Sequence, residues 1–113
     1  MKKILITGGA GFIGSYLANE LCKNGYVVDI VDNQLRGDYS RLTKEVKIFN
    51  IDLTVFDELS VLPKDYDWIF HLAAVNGTDN FYSMQSKVFE VGVKSCLNIY
   101  DYFKYSESSI VVA

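Results

Sequence analysis

Three glycines near the amino terminus have the spacing of a phosphate-binding loop. Gly8, Gly11 and Gly14 follow a short apolar run and precede a segment with helical periodicity. In such a strand–turn–helix arrangement, the first glycine permits a tight turn, the second lets the backbone approach a pyrophosphate, and the third lets helix and strand pack closely. The N–H groups of Phe12 and Ile13 would point at the phosphates, aided by the positive end of the helix dipole. Because no Gly-Lys-Ser/Thr follows the glycines, a P-loop is excluded for this segment.

An acidic residue after the second apolar run completes the dinucleotide pattern. Asp32 lies 18 residues after Gly14 and ends the run "VVDIVD". A carboxylate at this point can accept hydrogen bonds from both ribose hydroxyls of an adenosine and would repel a 2′-phosphate, so NAD is favoured over NADP. Asp32 could instead cap the strand or start an Asx turn. Arg36 could meet a 2′-phosphate, but an arginine in a loop is more often solvated.

The elements that must position these residues alternate between strand and helix. The patterns predict strands at 3–7, 26–31, 46–49, 67–71 and 109–112, and helices at 12–24, 54–62 and 82–104. Short apolar strands alternating with helices are typical of a parallel sheet covered on both faces. We therefore predict an α/β fold, a doubly wound parallel sheet (Rossmann fold) of about five strands, with residues 1–113 in one domain. In the first helix, Ile13, Leu17 and Leu21 recur at fourfold spacing, which indicates an apolar stripe.

The overall composition argues against several classes of partner. A net charge of -3 favours neither nucleic acid nor an anionic membrane surface. No segment approaches the roughly 18 to 20 apolar residues that a membrane span needs. Cys22 and Cys96 lie in apolar segments and lack metal-ligand spacing, so neither a metal site nor a disulfide framework is predicted. We expect a soluble, cytoplasmic protein.

Four motifs together resemble a known family. They are "TGGAGFIG" at the glycines, "DN" at 32–33, "DL" at 52–53 and "HLAA" at 71–74. This set resembles the nucleotide-binding half of the extended short-chain dehydrogenase/reductases, and most of all the NAD-dependent nucleotide-sugar epimerases and dehydratases. The motifs stand in the family's order and extend over most of the chain. The resemblance implies that NAD is the cofactor and that a nucleotide sugar is the substrate.

The resemblance also implies roles for residues beyond the glycine loop. Asp52 would bind the adenine amino group with Leu53 beside the ring, although Asp52 before Thr54 would otherwise be interpreted as a helix N-cap. Further cofactor contacts would come from Asn33, Leu72, Ala73 and Ala74. The two alanines would lie near the pyrophosphate and the nicotinamide ribose, where small side chains permit close approach.

Three other polar positions are considered for the site. His71, the only histidine, is predicted to be a hydrogen-bonded core residue and not a catalytic one. Thr78 and Asn80 could hydrogen-bond a sugar nucleotide, but a polar connecting loop explains them equally well.

The last predicted helix departs from the family pattern. Its "GVKSCLN" at 92–98 stands where the family tends to show Asn-Val-x-Gly-Thr-x-Asn. Val93 and Asn98 match, whereas Gly92, Ser95 and Cys96 replace Asn, Gly and Thr.

Gly92 and the surface of this helix carry two further expectations. A glycine within a helix costs about 1 kcal/mol relative to alanine, so Gly92 indicates a close packing contact or space for a ligand. In relatives this helix contributes to a dimer interface, so the resemblance implies a homodimer through 82–104. An ordinary core stripe with a solvated face is the alternative.

The catalytic residues that the resemblance implies are not found in the sequence. The family uses a serine or threonine after the fifth strand and a Tyr-x-x-x-Lys pair further on. Only Tyr100 has a lysine at that spacing, Lys104, and this pair precedes the fifth strand, so we predict an ordinary surface spacing.

Three functions remain open at this point. The chain is expected to be the N-terminal NAD-binding fragment of a nucleotide-sugar epimerase or dehydratase that works by transient hydride transfer, inactive on its own, with the catalytic and substrate-binding part absent. The alternatives are a stand-alone NAD-sensing module and a methyltransferase that binds an adenosine cofactor on a similar sheet.

Overall fold

Five parallel strands form one sheet in the computed structural model, which describes residues 2–8, 12–32, 39–72 and 85–112, with the backbone alone at 12, 39 and 85–91. The strands are β1 (Lys3–Thr7), β2 (Val27–Val31), β3 (Lys47–Phe49), β4 (Trp68–His71) and β5 (Ser109–Val112). Their order across the sheet is β3-β2-β1-β4-β5. The predicted doubly wound α/β sheet is therefore confirmed, and each predicted strand starts within one residue of its observed start.

Among the described residues, two α-helices flank the sheet, α1 (Phe12–Lys23) and α2 (Gln85–Phe103). The helix predicted at 54–62 is a shorter 3₁₀ helix, Phe56–Val61, and a second 3₁₀ turn covers Tyr39–Arg41. Asn24 and Gly25 end α1: Gly25 has φ of 88°, a left-handed conformation that glycine adopts without steric cost.

The alternation of side chains in the strands divides the core into two layers. One layer lies beneath α2 and the 3₁₀ helix and contains Leu5, Val31, Leu53, Leu59, Leu62, Tyr66, Ile69, Ile99 and Phe103. The other lies beneath α1 and contains Ile4, Ile6, Ala18, Val28, Ile30 and Val46. Successive strand residues point to opposite faces, so both faces of the central strands are apolar, as expected for a covered parallel sheet.

The buried face of α1 differs from the predicted stripe. Ile13 is 72% exposed, whereas Gly14, Ser15 and Ala18 are buried against the sheet. Leu17 is half-buried beside them. Small side chains let a helix approach a sheet closely, so the contact uses the small-residue face and leaves Ile13 outside it. The prediction that Ile13 belongs to the apolar stripe is wrong for this reason.

The helical segments of the described ranges are α1, α2 and the two 3₁₀ segments. None of the helices there has the length and apolar character required to cross a bilayer.

Candidate functional site

The carboxyl ends of four neighbouring strands, β3, β2, β1 and β4, are connected by backbone hydrogen bonds. The N–H of Gly8 donates to the Val31 carbonyl at 2.7 Å, and the N–H of Leu72 donates to the Thr7 carbonyl at 3.2 Å. On the other side, the N–H of Asp32 donates to the Phe49 carbonyl at 3.2 Å. These bonds extend the ladder one residue past each strand, so Gly8 lies between Asp32 and Leu72 at one edge of the sheet.

This edge contains the switch point of the sheet. From β1 the chain proceeds outward through β2 and β3 on one side, and through β4 and β5 on the other. In open parallel sheets, ligands bind in the crevice outside the carboxyl ends of the strands where this reversal occurs. The topology therefore places Gly8, Asp32 and Leu72 around the position expected for a ligand.

The described glycines have the conformation and burial that a phosphate loop requires. Gly8 has φ of 76°, in the left-handed region where a side chain would be strained. Gly14 is buried in the first turn of α1, as expected for the glycine that allows the helix to pack closely on the strand. The amino terminus of α1 follows the loop from β1, so its first N–H groups and positive dipole end lie at the same end of the sheet.

Asp32 is a half-buried residue directly after β2. Its position next to Gly8 across the β1–β2 pair is the position that the sequence predicts for an acid that binds the adenosine ribose.

Asp52 organises a tight turn after β3. Its Oδ1 accepts hydrogen bonds from the Thr54 N–H at 2.9 Å and from the Thr54 hydroxyl at 2.7 Å. The Asp52 N–H donates to Glu58 Oε1 at 2.9 Å, which fixes the turn from the other side. The N-cap of the 3₁₀ helix is Val55, which makes no side-chain capping bond. The N-cap interpretation of Asp52 is therefore wrong; the carboxylate forms an Asx turn, and its Oδ2 lies outside these bonds.

Leu53 is part of the core beneath this turn. Its side chain is 6% exposed and packs in the layer under α2. Its carbonyl accepts a hydrogen bond from Asn98 Nδ2 at 2.7 Å, so α2 holds the turn in place. Contact between Leu53 and an adenine ring stays a prediction.

His71 is a buried, hydrogen-bonded residue at the end of β4. It is 4% exposed, and its Nδ1 lies 2.8 Å from Thr7 Oγ1. Its Nε2 lies 3.4 Å from Ser95 Oγ on α2. Burial lowers the pKa of the His71 imidazole from its usual 6.5, which favours the neutral ring. The prediction of a hydrogen-bonded core histidine is confirmed.

Thr7 and Ser95 were not predicted from the sequence. Both are almost fully buried, at 0% and 1% exposure. A signal for Ser95 was present, because it lies four and eight residues before Ile99 and Phe103 on the same face of α2. A hydroxyl on an otherwise apolar stripe indicates a polar partner across the interface.

Several predicted site residues cannot be placed. Gly11, Asn33, Ala73, Ala74, Thr78 and Asn80 lie outside the described residues. For Phe12 the backbone alone is described, at the start of α1.

Two expectations about α2 have clear outcomes. A Cβ added at Gly92 would meet nothing within 4 Å, so the predicted close packing contact is not found. Tyr100 is 59% exposed near the carboxyl end of α2. That end leads into Ser108, whose hydroxyl donates to the Tyr66 carbonyl just before β4. Tyr100 and Lys104 therefore lie towards the amino ends of the strands, away from the candidate site, and their surface spacing is confirmed.

The described part of the chain holds no group of three or more histidine, cysteine or acidic residues suited to a metal ion. The arrangement at the strand ends is instead that of a dinucleotide site: a glycine turn, a helix amino terminus and two carboxylates.

Comparison with known families gives the same result. The model of the NAD dependent epimerase/dehydratase family matches residues 4–113. The chain belongs to this family. The methyltransferase alternative is therefore set aside, and the resemblance drawn from the four motifs is confirmed.

Individual relatives agree with this assignment. The chain is 39% identical over 101 residues to a UDP-N-acetyl-alpha-D-glucosaminuronate decarboxylase from Bacillus cytotoxicus, covering 87% of this chain and 32% of that protein. The Bordetella bronchiseptica enzyme WbmF in complex with NAD+ superimposes with a TM-score of 0.89 and 27% identity, over 98% of this chain and 35% of that one. The UDP-glucose 4-epimerase of Thermus thermophilus in complex with NAD superimposes with a TM-score of 0.80 and 29% identity, over 88% of this chain and 32% of that one. The chain spans about a third of the length of these relatives.

Proposed function

We propose that residues 1–113 bind NAD and form the cofactor-binding portion of an enzyme that acts on a nucleotide sugar. The observation that carries the proposal is the grouping of Gly8, Asp32 and the start of α1 at the switch point of the sheet. Membership of an NAD dependent family supports the choice of cofactor.

The residues present fit this cofactor. Gly8 has the left-handed conformation of the tight turn that leads towards α1, and the N–H groups at the start of α1 would donate to a pyrophosphate. The Asp32 carboxylate would accept hydrogen bonds from the adenosine ribose. Asp52 Oδ2, outside the bonds that Oδ1 makes to Thr54, would accept one from the adenine amino group. The turn around Asp52 is fixed by hydrogen bonds to Glu58 and Asn98, so it orients the Asp52 carboxylate before any ligand binds.

Nucleotide sugars are the substrate class that the relatives support. Those described above include a UDP-N-acetyl-alpha-D-glucosaminuronate decarboxylase and a UDP-glucose 4-epimerase. NAD, when bound, supplies an acceptor for a hydride from the sugar and returns it later. The role of this chain's residues is to bind and orient that cofactor. Tyr100 and Lys104 lie away from the site, so we do not assign an acid–base step to this pair.

Cofactor choice is tested by titrating the chain calorimetrically with NAD and NADP. We expect binding of NAD in preference to NADP, and a loss of NAD affinity of about 10- to 100-fold in Asp32→Ala, because hydrogen bonds to a charged acceptor contribute about 1.5–3 kcal/mol. Asp101→Asn, which removes an exposed carboxylate on α2, is the matched control and should leave the affinity unchanged. Equal or tighter binding of NADP would contradict the proposal.

Substrate class is tested separately. The coding sequence that follows residue 113 in the genome should be expressed together with this chain, and the product incubated with NAD and UDP-sugars. We expect conversion of a UDP-sugar without net consumption of NAD. If the reading frame stops at residue 113 and the chain binds NAD, the result would favour the stand-alone NAD-sensing module instead.

We also propose that the chain forms a homodimer through α2. Val93, Leu97 and Tyr100 recur at helical spacing and are 41%, 56% and 59% exposed, which makes an apolar stripe on the face away from the core. Light scattering should report a dimer that Leu97→Glu converts to a monomer; a monomer before substitution would contradict this proposal.

The proposed location is the cytoplasm, where both free cysteines, Cys22 and Cys96, would stay reduced.

A further inference from the structure

Three buried polar side chains link β1, β4 and α2 directly beneath the candidate site. Thr7, His71 and Ser95 are 0%, 4% and 1% exposed. Thr7 Oγ1 lies 2.8 Å from His71 Nδ1, and Ser95 Oγ lies 3.4 Å from His71 Nε2. The imidazole therefore bridges two hydroxyls that belong to different elements.

The bonds at the two ends of this link indicate which nitrogen carries the proton. The Leu72 N–H donates to Thr7 Oγ1 at 3.0 Å, which uses one of the two acceptor sites of this oxygen and leaves its own proton able to point at His71 Nδ1. At the other end, Ser95 Oγ donates to the Gly92 carbonyl at 3.4 Å, so it accepts from a proton on His71 Nε2. A neutral ring with its proton on Nε2 is compatible with these contacts.

The link acts on the two strand ends that flank the crevice. Thr7 immediately precedes Gly8, and His71 immediately precedes Leu72. The same Thr7 residue also bonds Leu72 through its carbonyl, at 3.2 Å. A shift of His71 would therefore change the relative positions of Gly8 and Leu72, beside which the cofactor is proposed to lie.

Ser95 supplies the connection to α2. It stands where the family pattern quoted above has a glycine, which has no side chain to reach the ring. In this chain the serine hydroxyl ties the imidazole to the helix that also holds the Asp52 turn through Asn98. One helix is thus bonded to both segments that flank the proposed cofactor site.

We infer that Ser95 is a positioning residue for the cofactor site, acting through His71 and Thr7 to fix the ends of β1 and β4. The inference rests on the proposed function, because the site it serves is the NAD site. It makes two separate statements, one on the tautomer of His71 and one on cofactor affinity.

The test compares Ser95→Ala with Ser106→Ala in the full chain. Both serine hydroxyls donate to the carbonyl three residues earlier, Gly92 for Ser95 and Phe103 for Ser106, but Ser106 lies just beyond the carboxyl end of α2. The ¹⁵N NMR spectrum of the His71 ring reports the tautomer without any ligand, and calorimetry reports NAD affinity. Urea unfolding shows whether each variant is folded.

We expect the Nε2-protonated tautomer in the unsubstituted chain and in Ser106→Ala, and a mixture of tautomers in Ser95→Ala. We expect NAD affinity to fall about fivefold in Ser95→Ala alone, the size of one lost hydrogen bond. Thr7→Val should reproduce both effects. Thr7→Ser keeps the hydroxyl and should retain the tautomer and the NAD affinity of the unsubstituted chain.

Two outcomes would overturn the inference. One is an unchanged ring spectrum in Ser95→Ala, and the other is an affinity that falls equally in Ser95→Ala and Ser106→Ala. Failure of the unsubstituted chain to bind NAD is a different result, because it overturns the proposed function and the role of Ser95 in that site. The ring spectra would still decide the tautomer.

Discussion

The hydrogen bond between Tyr66 and Asp29 gives the sharpest prediction about stability. The Tyr66 hydroxyl donates to Asp29 Oδ2 at 2.7 Å, and the two residues are 2% and 4% exposed. Tyr66→Phe keeps the ring and its edge contact with Phe103 but removes the donor from a buried carboxylate. Bonds to charged groups contribute about 1.5–3 kcal/mol, so we expect the free energy of unfolding to fall by about 2–3 kcal/mol.

The chain offers a matched control at Tyr102. Its hydroxyl donates to the Leu62 carbonyl at 2.6 Å, so Tyr102→Phe removes a bond to a neutral acceptor from a half-buried position. We expect a loss of about 1 kcal/mol there. In urea unfolding at pH 7, Tyr66→Phe should lower the midpoint by about 1–2 M, and Tyr102→Phe by about half as much. Equal losses in the two variants would refute the reasoning.

The same pair predicts a dependence on alkaline pH. Burial, followed by the hydrogen bond to Asp29, raises the pKa of Tyr66 above its usual 10.0. The folded state therefore keeps the proton after the unfolded state has lost it. This contribution is complete below pH 10.0 and is lost as the pH rises above that value. The difference in unfolding free energy between the unsubstituted chain and Tyr66→Phe should narrow above pH 10.0, and a constant difference would contradict the assignment.

Two further predictions concern the helices and the histidine. Gly92→Ala should raise the unfolding free energy by about 1 kcal/mol, because an added Cβ meets open space inside a helix, whereas Gly25→Ala, at φ of 88°, should lower it by about 1 kcal/mol. Urea unfolding midpoints that shift in the same direction in Gly92→Ala and Gly25→Ala would contradict these two expectations. Because burial lowers the pKa of His71, its contribution to stability is complete above pH 6.5 and is lost as the pH falls below it. Unfolding midpoints measured from pH 7.5 to 5.5 should decline less in His71→Asn, and equal declines would contradict the role of this residue.

The secondary-structure elements and several residues of the candidate site were predictable from local sequence. Apolar runs fixed all five strands, and the glycine spacing identified the turn where Gly8 takes a left-handed conformation. These features depend on a few neighbouring residues, because periodicity and backbone freedom are local properties. Asp32 was predictable for the same reason, as the residue that ends a strand.

Local patterns failed where the partner lies far along the chain. The residues around Ile13 do not reveal that α1 packs on the sheet through its small residues, such as Gly14 and Ala18. Asp52 is a different case, because its partner Thr54 is only two residues away: an Asx turn and a helix N-cap use the same residue types, and only the start of the 3₁₀ helix after Val55 distinguishes them.

The sequence by itself determined that this chain forms a covered parallel sheet with a phosphate-type glycine loop, because those properties follow from residue type and spacing. Only the tertiary structure decided that Thr7 meets His71, 64 residues away, and that Ser95 completes the contact from α2. The strand order sets β1 beside β4, so residues distant in sequence become neighbours beneath the crevice. Such pairings depend on topology, and no periodicity in the sequence encodes them.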